Sequence, residues 1–272
     1  MASTTLLNQE EVRSPEGGAQ MLYVLHGIYG AGRNWSSVIR RFVRSHTEWN
    51  ARLLDLRQHG LSQGFAGPHT IEAAAHDVEQ LAQHLGEKPA GVLGHSFGGK
   101  VALMYARHHG AELKQVWVID STPEAREPGG SAWEMLEVIR TTPRTFESRE
   151  ELIGLLEQSG IARPTAQWMA TNLENRDGAY VWRFDFDAIE ELLRDFFKQD
   201  LWDVLESPPA NLEIHMVKAA ESSVLSRDAV ARVGELAKQN GRVHLHVVKG
   251  GHWVNAENPE ELLTLMTRHL SG

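Results

Sequence analysis

Short apolar runs alternate with longer amphipathic segments along most of the chain. Runs rich in Val, Leu and Ile are typical of buried strands, and they occupy Met21–His26, Arg52–Leu56, Gly91–Leu93, Val116–Ile119, Leu212–Val217 and Val243–Val248. Segments with helical spacing lie between them, at Trp35–Ser45, Thr70–Leu85, Ser96–His109, Ser226–Gln239 and Pro259–Leu270. Such alternation favours right-handed βαβ crossovers, so the pattern predicts an α/β fold with a mostly parallel central sheet flanked by helices.

The interval between the strand ending at Ile119 and the strand starting at Leu212 breaks this rhythm. Its apolar spacing is helical, and segments rich in helix breakers open and close it, at 124–130 and 206–210. Because the strands after the interval need those before it to complete one sheet, we interpret the interval as an insertion in a single domain. The predicted division is a core of residues 1–122 and 211–272 with a helical cap of residues 123–210.

Composition narrows the chemistry that this fold can perform. The 272 residues include no Cys, which excludes disulfides, a thiol nucleophile and thiolate metal ligands. The formal charge is −9, from 27 Lys and Arg against 36 Asp and Glu, and the basic residues are not clustered, so no nucleic-acid partner is expected. A covalent nucleophile must therefore be an oxygen or an amine, and the 14 His residues are candidate bases.

The N-terminal segment lacks the features of a secretion signal. Residues 1–18 carry acidic side chains where a signal peptide has its apolar core. The sequence also has no run of about 18 apolar residues that could span a membrane. We therefore expect a cytoplasmic protein with no membrane partner, and the residues carry no signal that determines its oligomeric state.

Two Ser residues match the Gly-x-Ser-x-Gly pattern of a sharp strand-to-helix turn. They are Ser62, within 60–64, and Ser96, within 94–98. Ser96 follows the predicted strand that ends at Leu93 and opens a predicted helix, which is the context that this kind of nucleophile requires. The Phe-Ala-Gly-Pro segment after Ser62 cannot continue as a helix. We therefore predict that Ser96 is the nucleophile and that Ser62 is a turn residue.

Among the His residues, His252 has the position of a general base for Ser96. It follows a Gly pair between the last predicted strand and the last predicted helix, at the carboxyl edge of the sheet where Ser96 also lies. His244 and His246 share one face of a predicted strand, but no third ligand can be placed beside them. We therefore expect neither a metal nor another cofactor.

Candidates are also present for an oxyanion hole and for an acid that orients His252. Acyl transfer needs two main-chain N–H groups at the oxygen of the intermediate, and Phe97 and Ile28 could supply them. A plain βα turn is the competing interpretation of the Gly-rich segment around Ile28. For the acid, Asp120 follows one predicted strand and Glu221 follows the next; we prefer Asp120 and keep Glu221 as the alternative.

Four motifs in this order resemble those of the α/β-hydrolase superfamily along nearly the whole chain outside the insertion. They are Leu25-His26-Gly27, the segment 55–62, the segment 94–99 and Gly251-His252-Trp253. The resemblance implies the α/β-hydrolase fold, with a helical cap inserted after the strand that the family counts as the sixth. It also accounts for Ser62, which falls in the family's Asp-x-Arg-x-His-Gly-x-Ser loop.

Within the superfamily, the chain is similar to the compact esterase branch that includes abhydrolase domain-containing protein 11 and its bacterial relatives. The similar segments are Ile119-Asp120 with Pro123, Trp182-Arg183-Phe184 and 251–257. Most superfamily members have an Asp after strand seven, where this chain has Ser222. This departure supports Asp120 as the acid.

The resemblance implies a serine hydrolase that cleaves small-molecule carboxylic esters through an acyl-enzyme intermediate. We expect short to medium acyl chains because the cap is small, and an acyl pocket lined by Tyr29 together with the alternating Trp182, Phe184 and Phe186. Thioesterase, lactonase, perhydrolase and carbon–carbon bond hydrolase chemistry remain alternatives. A ligand-binding protein that retains the hydrolase fold with little turnover is a further alternative.

Overall fold

The computed structural model describes residues 5–270, and its elements follow the alternation of the sequence. The strands are β1 Gln9–Val12, β2 Gln20–Leu25, β3 Trp49–Leu54, β4 Gly91–His95, β5 Gln115–Ile119, β6 Thr145–Phe146, β7 Leu173–Arg176, β8 Ala179–Trp182, β9 Glu213–Ala219 and β10 Val243–Val248. The helices are α1 Ser36–Ser45, α2 Ile71–Leu85, α3 Phe97–His109, α4 Ser131–Thr141, α5 Arg149–Gln158, α6 Arg163–Ala170, α7 Phe186–Lys198, α8 Trp202–Glu206, α9 Arg227–Gln239, α10 Val254–Glu257 and α11 Pro259–His269.

Within residues 5–270, seven strands form one sheet in the order β1-β3-β2-β4-β5-β9-β10. Neighbouring strands are parallel except for β1, which pairs antiparallel with β3 at the edge. The prediction of a mostly parallel sheet is therefore confirmed, although the sequence pattern did not reveal β1, in which only Val12 is fully buried. The chain moves outward to β3 and then returns past β2 to β4, which creates a topological switch point beside β2 and β4.

Alternating side chains of β2 contribute to two hydrophobic cores on opposite faces of the sheet. Leu22 and Val24 pack in the same core as the buried residues of α1 and α11. Tyr23 and Leu25 pack in the other core, with the buried residues of α2 and α3. Because successive strand residues point to opposite faces, one strand supports both helical layers. Asn258 caps α11, since its Oδ1 accepts the main-chain N–H of Glu261 at 3.3 Å.

The insertion between β5 and β9 is not purely helical, and the expectation of an insertion without strands is wrong. Besides helices α4 to α8, it contains a three-stranded antiparallel sheet in the order β6-β8-β7. Strands β7 and β8 form a hairpin whose turn residues, Asp177 and Gly178, have φ values of 52° and 91°. Two left-handed residues give the turn the twist that a tight hairpin needs, and Asp-Gly is the sequence signal for such a turn.

A buried lysine on α3 ties both ends of the insertion to the core. The Nζ atom of Lys100 donates to the main-chain oxygens of Glu124 at 2.8 Å, Phe196 at 2.6 Å and Gln199 at 2.8 Å. The Lys100 side chain is fully buried. Three acceptors match the three N–H groups of an ammonium, so this one side chain positions the insertion over the helix that follows Ser96.

Candidate active site

Ser96 lies on the turn between β4 and α3 with a strained backbone. Its φ of 52° and ψ of −117° lie in a region that non-glycine residues rarely adopt. The turn is so tight that a Cβ on Gly94 would lie 2.0 Å from the oxygen of Gly98, and a Cβ on Gly98 would lie 2.5 Å from the oxygen of His26. Glycine at both positions therefore permits the turn that presents the Ser96 hydroxyl at the carboxyl edge of the sheet.

The hydroxyl of Ser96 lies at the end of a hydrogen-bonded chain of three side chains. The Nε2 atom of His252 is 3.0 Å from the Oγ atom of Ser96, and its Nδ1 atom is 2.7 Å from Oδ2 of Asp120. Since a carboxylate only accepts, Nδ1 of His252 carries a proton and Nε2 is free to accept the Ser96 proton. This is the arrangement of a nucleophile, a base and an orienting acid.

Asp120, rather than Glu221, contacts His252 in the structure. Asp120 is fully buried, and its second carboxylate oxygen accepts the main-chain N–H of Ala219 at 3.0 Å. Burial acts to raise the pKa of Asp120, but the hydrogen bonds from His252 and Ser222 outweigh burial and lower the pKa below its ordinary value. Glu221 is exposed, and no hydrogen bond among residues 5–270 joins its carboxylate to His252.

The two residues predicted to supply an oxyanion hole lie beside Ser96. Ile28 and Phe97 both line the cavity onto which Ser96 and His252 open. Phe97 is the first residue of α3, so its N–H is among those that lack a partner within the helix. The N–H of Ile28 donates to no main-chain oxygen in the described part of the chain. Both donors are therefore available to an oxygen bound next to Ser96.

The cavity at Ser96 has a volume of about 300 Å³, and the insertion forms much of its wall. Leu193, Phe196 and Phe197 supply apolar surface, and Arg126 supplies a positive charge. Arg126 is held in place because its main-chain N–H donates to Phe197 at 2.8 Å and its guanidinium donates to the oxygen of Val224 at 3.1 Å. The sequence pattern singles out none of these four residues, because chain folding alone brings them to Ser96.

The predicted acyl-pocket residues lie elsewhere, which corrects the expectation for Tyr29, Trp182, Phe184 and Phe186. None of them lines the cavity at Ser96 among the described residues. The rings of Trp182, Phe184 and Phe186 pack on one another at centroid distances of 5.3 to 5.8 Å. The extended backbone ends at Trp182 and α7 begins at Phe186, so the alternation serves packing within the insertion.

Tyr29 connects the turn of Ile28 to the insertion. Its hydroxyl donates to the oxygen of Ala132 at 2.7 Å, and its own main-chain oxygen accepts the side-chain amide of Asn172 at 2.9 Å. Its φ of 62° is strained for a tyrosine. Tyr29 therefore holds the Ile28 turn in shape instead of lining the cavity.

Ser62, the second Ser in a Gly-x-Ser-x-Gly pattern, lies in a turn after β3 and does not line the cavity at Ser96. Its hydroxyl donates to the main-chain oxygen of Asp55 at 2.7 Å and accepts the N–H of Asn8 at 2.7 Å. The contact with Asp55 closes the loop that follows β3, and the contact with Asn8 joins that loop to the segment before β1. The context after the pattern, rather than the pattern itself, separates the two serines.

A tight strand-to-helix turn that presents a Ser at the carboxyl edge of a mostly parallel sheet, with a His and an Asp on later turns, is typical of the class of α/β hydrolases. The sequence profile described as the alpha/beta hydrolase family matches residues 22–265. The chain belongs to this family, so the α/β-hydrolase fold expected from the four motifs is confirmed.

Relatives of the chain include lipases and esterases. The chain is 24% identical to the sn-1-specific diacylglycerol lipase ABHD11 of Mus musculus over 91% of this chain and 80% of that protein. It is 23% identical to a putative esterase/lipase of Haemophilus influenzae over 92% of this chain and 83% of that protein. The solved structure of a marine microorganism esterase superposes with a TM-score of 0.84 at 21% identity, covering 97% of this chain and 99% of that one. The predicted resemblance to the ABHD11 branch is therefore confirmed.

None of the helices in residues 5–270 is both long enough and apolar enough to cross a membrane.

Proposed function

We propose that this protein hydrolyses carboxylic esters of short to medium acyl chains through an acyl-enzyme intermediate on Ser96. The observation that carries the proposal is the continuous hydrogen-bonded chain from Ser96 through His252 to Asp120, open to a cavity. Membership of the alpha/beta hydrolase family and relatives named as esterases and lipases support ester hydrolysis in general.

In the proposed reaction, the Ser96 oxygen attacks the ester carbonyl carbon while Nε2 of His252 takes the hydroxyl proton. The N–H groups of Ile28 and Phe97 donate to the oxyanion of the tetrahedral intermediate. His252 returns the proton to the leaving alcohol, which leaves an acyl group on Ser96. Water then attacks the acyl carbon while His252 takes its proton, and His252 gives that proton to the Ser96 oxygen as the carboxylic acid is released.

Asp120 is proposed to orient His252 and to stabilise the imidazolium that forms at each step. Its buried carboxylate and lowered pKa support this role, because a charged partner stabilises the protonated imidazole. The exposed Glu221 is the weaker candidate.

We propose that residues 123–210 act as a cap over a core of residues 1–122 and 211–272, and that the cap sets the acyl-chain preference. A cavity of about 300 Å³ is at the small end of the range for ligand pockets, which supports short to medium chains. Leu193, Phe196 and Phe197 supply the apolar wall against which an acyl chain would pack.

The test is hydrolysis of p-nitrophenyl acetate, butyrate, octanoate and palmitate by the wild-type protein and by Ser96→Ala. We expect kcat/KM to peak at butyrate or octanoate and to fall steeply at palmitate. A butyryl thioester measured beside the oxygen ester separates esterase from thioesterase chemistry. A folded wild-type protein that turns over none of these substrates, and whose Ser96 is not labelled by a fluorophosphonate, would overturn the proposal in favour of a ligand-binding role.

A further inference from the structure

Imidazole side chains and a carboxylate meet on one face of the sheet, toward the amino ends of β9 and β10. His215 on β9 is the register partner of His244 on β10. Glu213 lies two residues before His215, and His246 lies two residues after His244. Alternate strand residues point to the same face, so all four side chains lie on one side of the sheet. The segments 213–215 and 244–246, on adjacent strands, therefore bring together side chains that are far apart in sequence; His215 and His246, for example, are 31 residues apart.

Stacking fixes the orientation of the His215 ring. On one side it stacks on Trp117 at a centroid distance of 4.3 Å and an interplanar angle of 7°. On the other side it stacks on His244 at 4.6 Å and 18°. His269, on α11, covers the group with its ring 4.8 Å from that of His246. The imidazole donors are thus held by packing against their neighbours, which favours a preorganised site.

Three donor atoms of this group surround a common point. Nε2 of His215 is 3.5 Å from Oε2 of Glu213, and Nε2 of His244 is 3.8 Å from the same oxygen. All three atoms lie within 4.8 Å of one another. These separations exceed a hydrogen bond, yet they are near the spacing of about 3.4 Å between ligand atoms around a tetrahedral Zn²⁺ with bonds of about 2.0–2.1 Å. Small side-chain rotations would close the remaining gap.

The two imidazole donors lack any other partner. Nε2 of His215 and Nε2 of His244 are buried and form no hydrogen bond within residues 5–270. A buried polar atom without a partner is costly, so an ion at this point would satisfy both.

His246 contacts the donor His215 from behind the proposed site. Its Nε2 atom is 3.0 Å from Nδ1 of His215. If Nε2 of His215 offers its lone pair to an ion, Nδ1 must carry the proton and donate it to His246. A metal-binding His generally donates its second N–H in this way, which fixes the tautomer.

We propose that Glu213, His215 and His244 form a binding site for a divalent transition-metal ion, with Zn²⁺ as the preferred ion and water completing the coordination. Two imidazoles and one carboxylate are ligands that suit Zn²⁺, Ni²⁺ and Co²⁺. From the sequence alone we expect no metal, because no third ligand can be placed beside His244 and His246. The strand register supplies two ligands from β9, Glu213 and His215, beside His244, while His246 contacts His215 and is not itself a ligand.

The proposed ion joins β9 to β10 and takes no part in the chemistry at Ser96. His215 is four residues before Ala219, whose N–H contacts Asp120, so the two sites are roughly 13 Å apart along the strand. An ion that binds only the folded chain raises its stability in proportion to the logarithm of ion concentration over Kd. This inference is independent of the proposed function.

The test uses the full-length, tag-free protein after removal of metals with a chelator. Zn²⁺ is titrated by isothermal calorimetry, Co²⁺ is followed by its visible absorption, and thermal unfolding is measured with and without Zn²⁺. We expect one equivalent of Zn²⁺ to bind with a micromolar or lower Kd, a tetrahedral-type Co²⁺ spectrum and a raised Tm. Wild-type protein that shows no stoichiometric Zn²⁺ binding and no change in Tm would overturn the proposal.

Matched variants separate this site from other surface imidazoles. His244→Ala and Glu213→Gln each remove one ligand, and we expect each to weaken Zn²⁺ binding at least 100-fold. Glu213 is exposed, so its variant keeps the fold even if His244→Ala does not. His246→Gln should weaken binding by about 10–100-fold, the usual effect of an outer-layer partner. His108→Ala is the control, since it removes a surface His that contacts Glu72 at 2.8 Å. Folded Glu213→Gln protein with wild-type affinity would contradict the assignment.

Discussion

Nε2 of His95 donates a hydrogen bond to the main-chain oxygen of His252 across 2.8 Å. His95 directly precedes Ser96, so the residue next to Ser96 also holds the loop that carries His252. The two rings lie 4.7 Å apart. Burial, followed by repulsion from His252, lowers the pKa of His95 to about 3, and the ring therefore remains neutral at ordinary pH.

This contact predicts that His95 positions His252. His95→Phe leaves the oxygen of His252 without its donor, and we expect kcat to fall about tenfold or more with little change in KM, since an unpaired buried group costs about 1–3 kcal/mol. His95→Gln retains an N–H at similar reach and should recover much of the loss. Steady-state kinetics and the rate of fluorophosphonate labelling measure the effect. Equal losses in both variants, with equal Tm values, would contradict a positioning role.

Ser96→Ala should abolish turnover and covalent labelling without unfolding the chain. Alanine lacks the attacking oxygen, while the surrounding turn depends on Gly94 and Gly98 and not on the hydroxyl. Ester hydrolysis, fluorophosphonate labelling and circular dichroism are the measurements. Ser62→Ala is the matched control and should retain turnover. Activity retained in Ser96→Ala would show that another residue is the nucleophile.

Asp120→Asn should reduce kcat by roughly 10²–10⁴-fold, because the amide cannot stabilise the imidazolium and favours the wrong tautomer of His252. Glu221→Gln is the paired comparison. It should change kcat by less than about tenfold, since Glu221 is exposed and does not contact His252. A larger loss in Glu221→Gln than in Asp120→Asn would reverse the assignment of the acid.

Buried neutral imidazoles predict that stability falls as the pH drops below about 6.5. Burial lowers the pKa of both His59 and His95 to about 3. Between an ordinary His pKa of about 6.5 and 3, the unfolded chain binds protons that the folded chain does not. Each such group therefore lowers the free energy of unfolding by up to about 1.4 kcal/mol per pH unit in this window.

The free energy of unfolding of the metal-free protein, measured with denaturant at pH 8, 6, 5 and 4, tests this pH dependence. His59→Asn keeps a side-chain N–H for the oxygen of Arg57. The variant should reduce the slope of the free energy of unfolding against pH by the contribution of one proton. His84→Asn, at an exposed position, is the control and should leave the slope unchanged. A stability that is constant from pH 7 to 4 would contradict the prediction.

Lys100→Met should loosen the insertion before it affects the sheet. The change leaves the oxygens of Glu124, Phe196 and Gln199 without their donor, at about 1–3 kcal/mol for each buried group. We expect limited proteolysis to cut within residues 123–210 faster than in the wild type, and KM to rise because Phe196 lines the cavity. Lys88→Met, at an exposed lysine, is the control. Unchanged cleavage in a folded Lys100→Met protein would show that the lysine does not fasten the insertion.

Short-range sequence patterns predict much of the fold and the order in which the candidate site residues occur along the chain. The strand and helix pattern predicts all the parallel strands of the large sheet, because period and apolar content are properties of short segments. The sequence also distinguishes the strand-to-helix turn at Ser96 from the turn at Ser62, because the strand before Ser96 and the helix after it are its neighbours in the chain. His252 followed from its place between the last strand and the last long helix.

Tertiary structure decided the features that depend on distant residues. Asp120 and Glu221 are equivalent in chain order, and only the packing of β5 beside β9 shows that Asp120 reaches His252. Much of the cavity wall comes from α7 and the start of the insertion. The aromatic rings at Trp182 and Phe184 pack on each other and do not line the cavity.

By itself, the sequence determined the class of fold, the turn that holds Ser96 and the absence of a thiol nucleophile, because these depend on neighbours in the chain or on composition. Only the tertiary structure decided the contact of Asp120 with His252, the shape of the cavity and the convergence of Glu213, His215 and His244. These contacts depend on strand order and register, which set the distances between residues far apart in the chain.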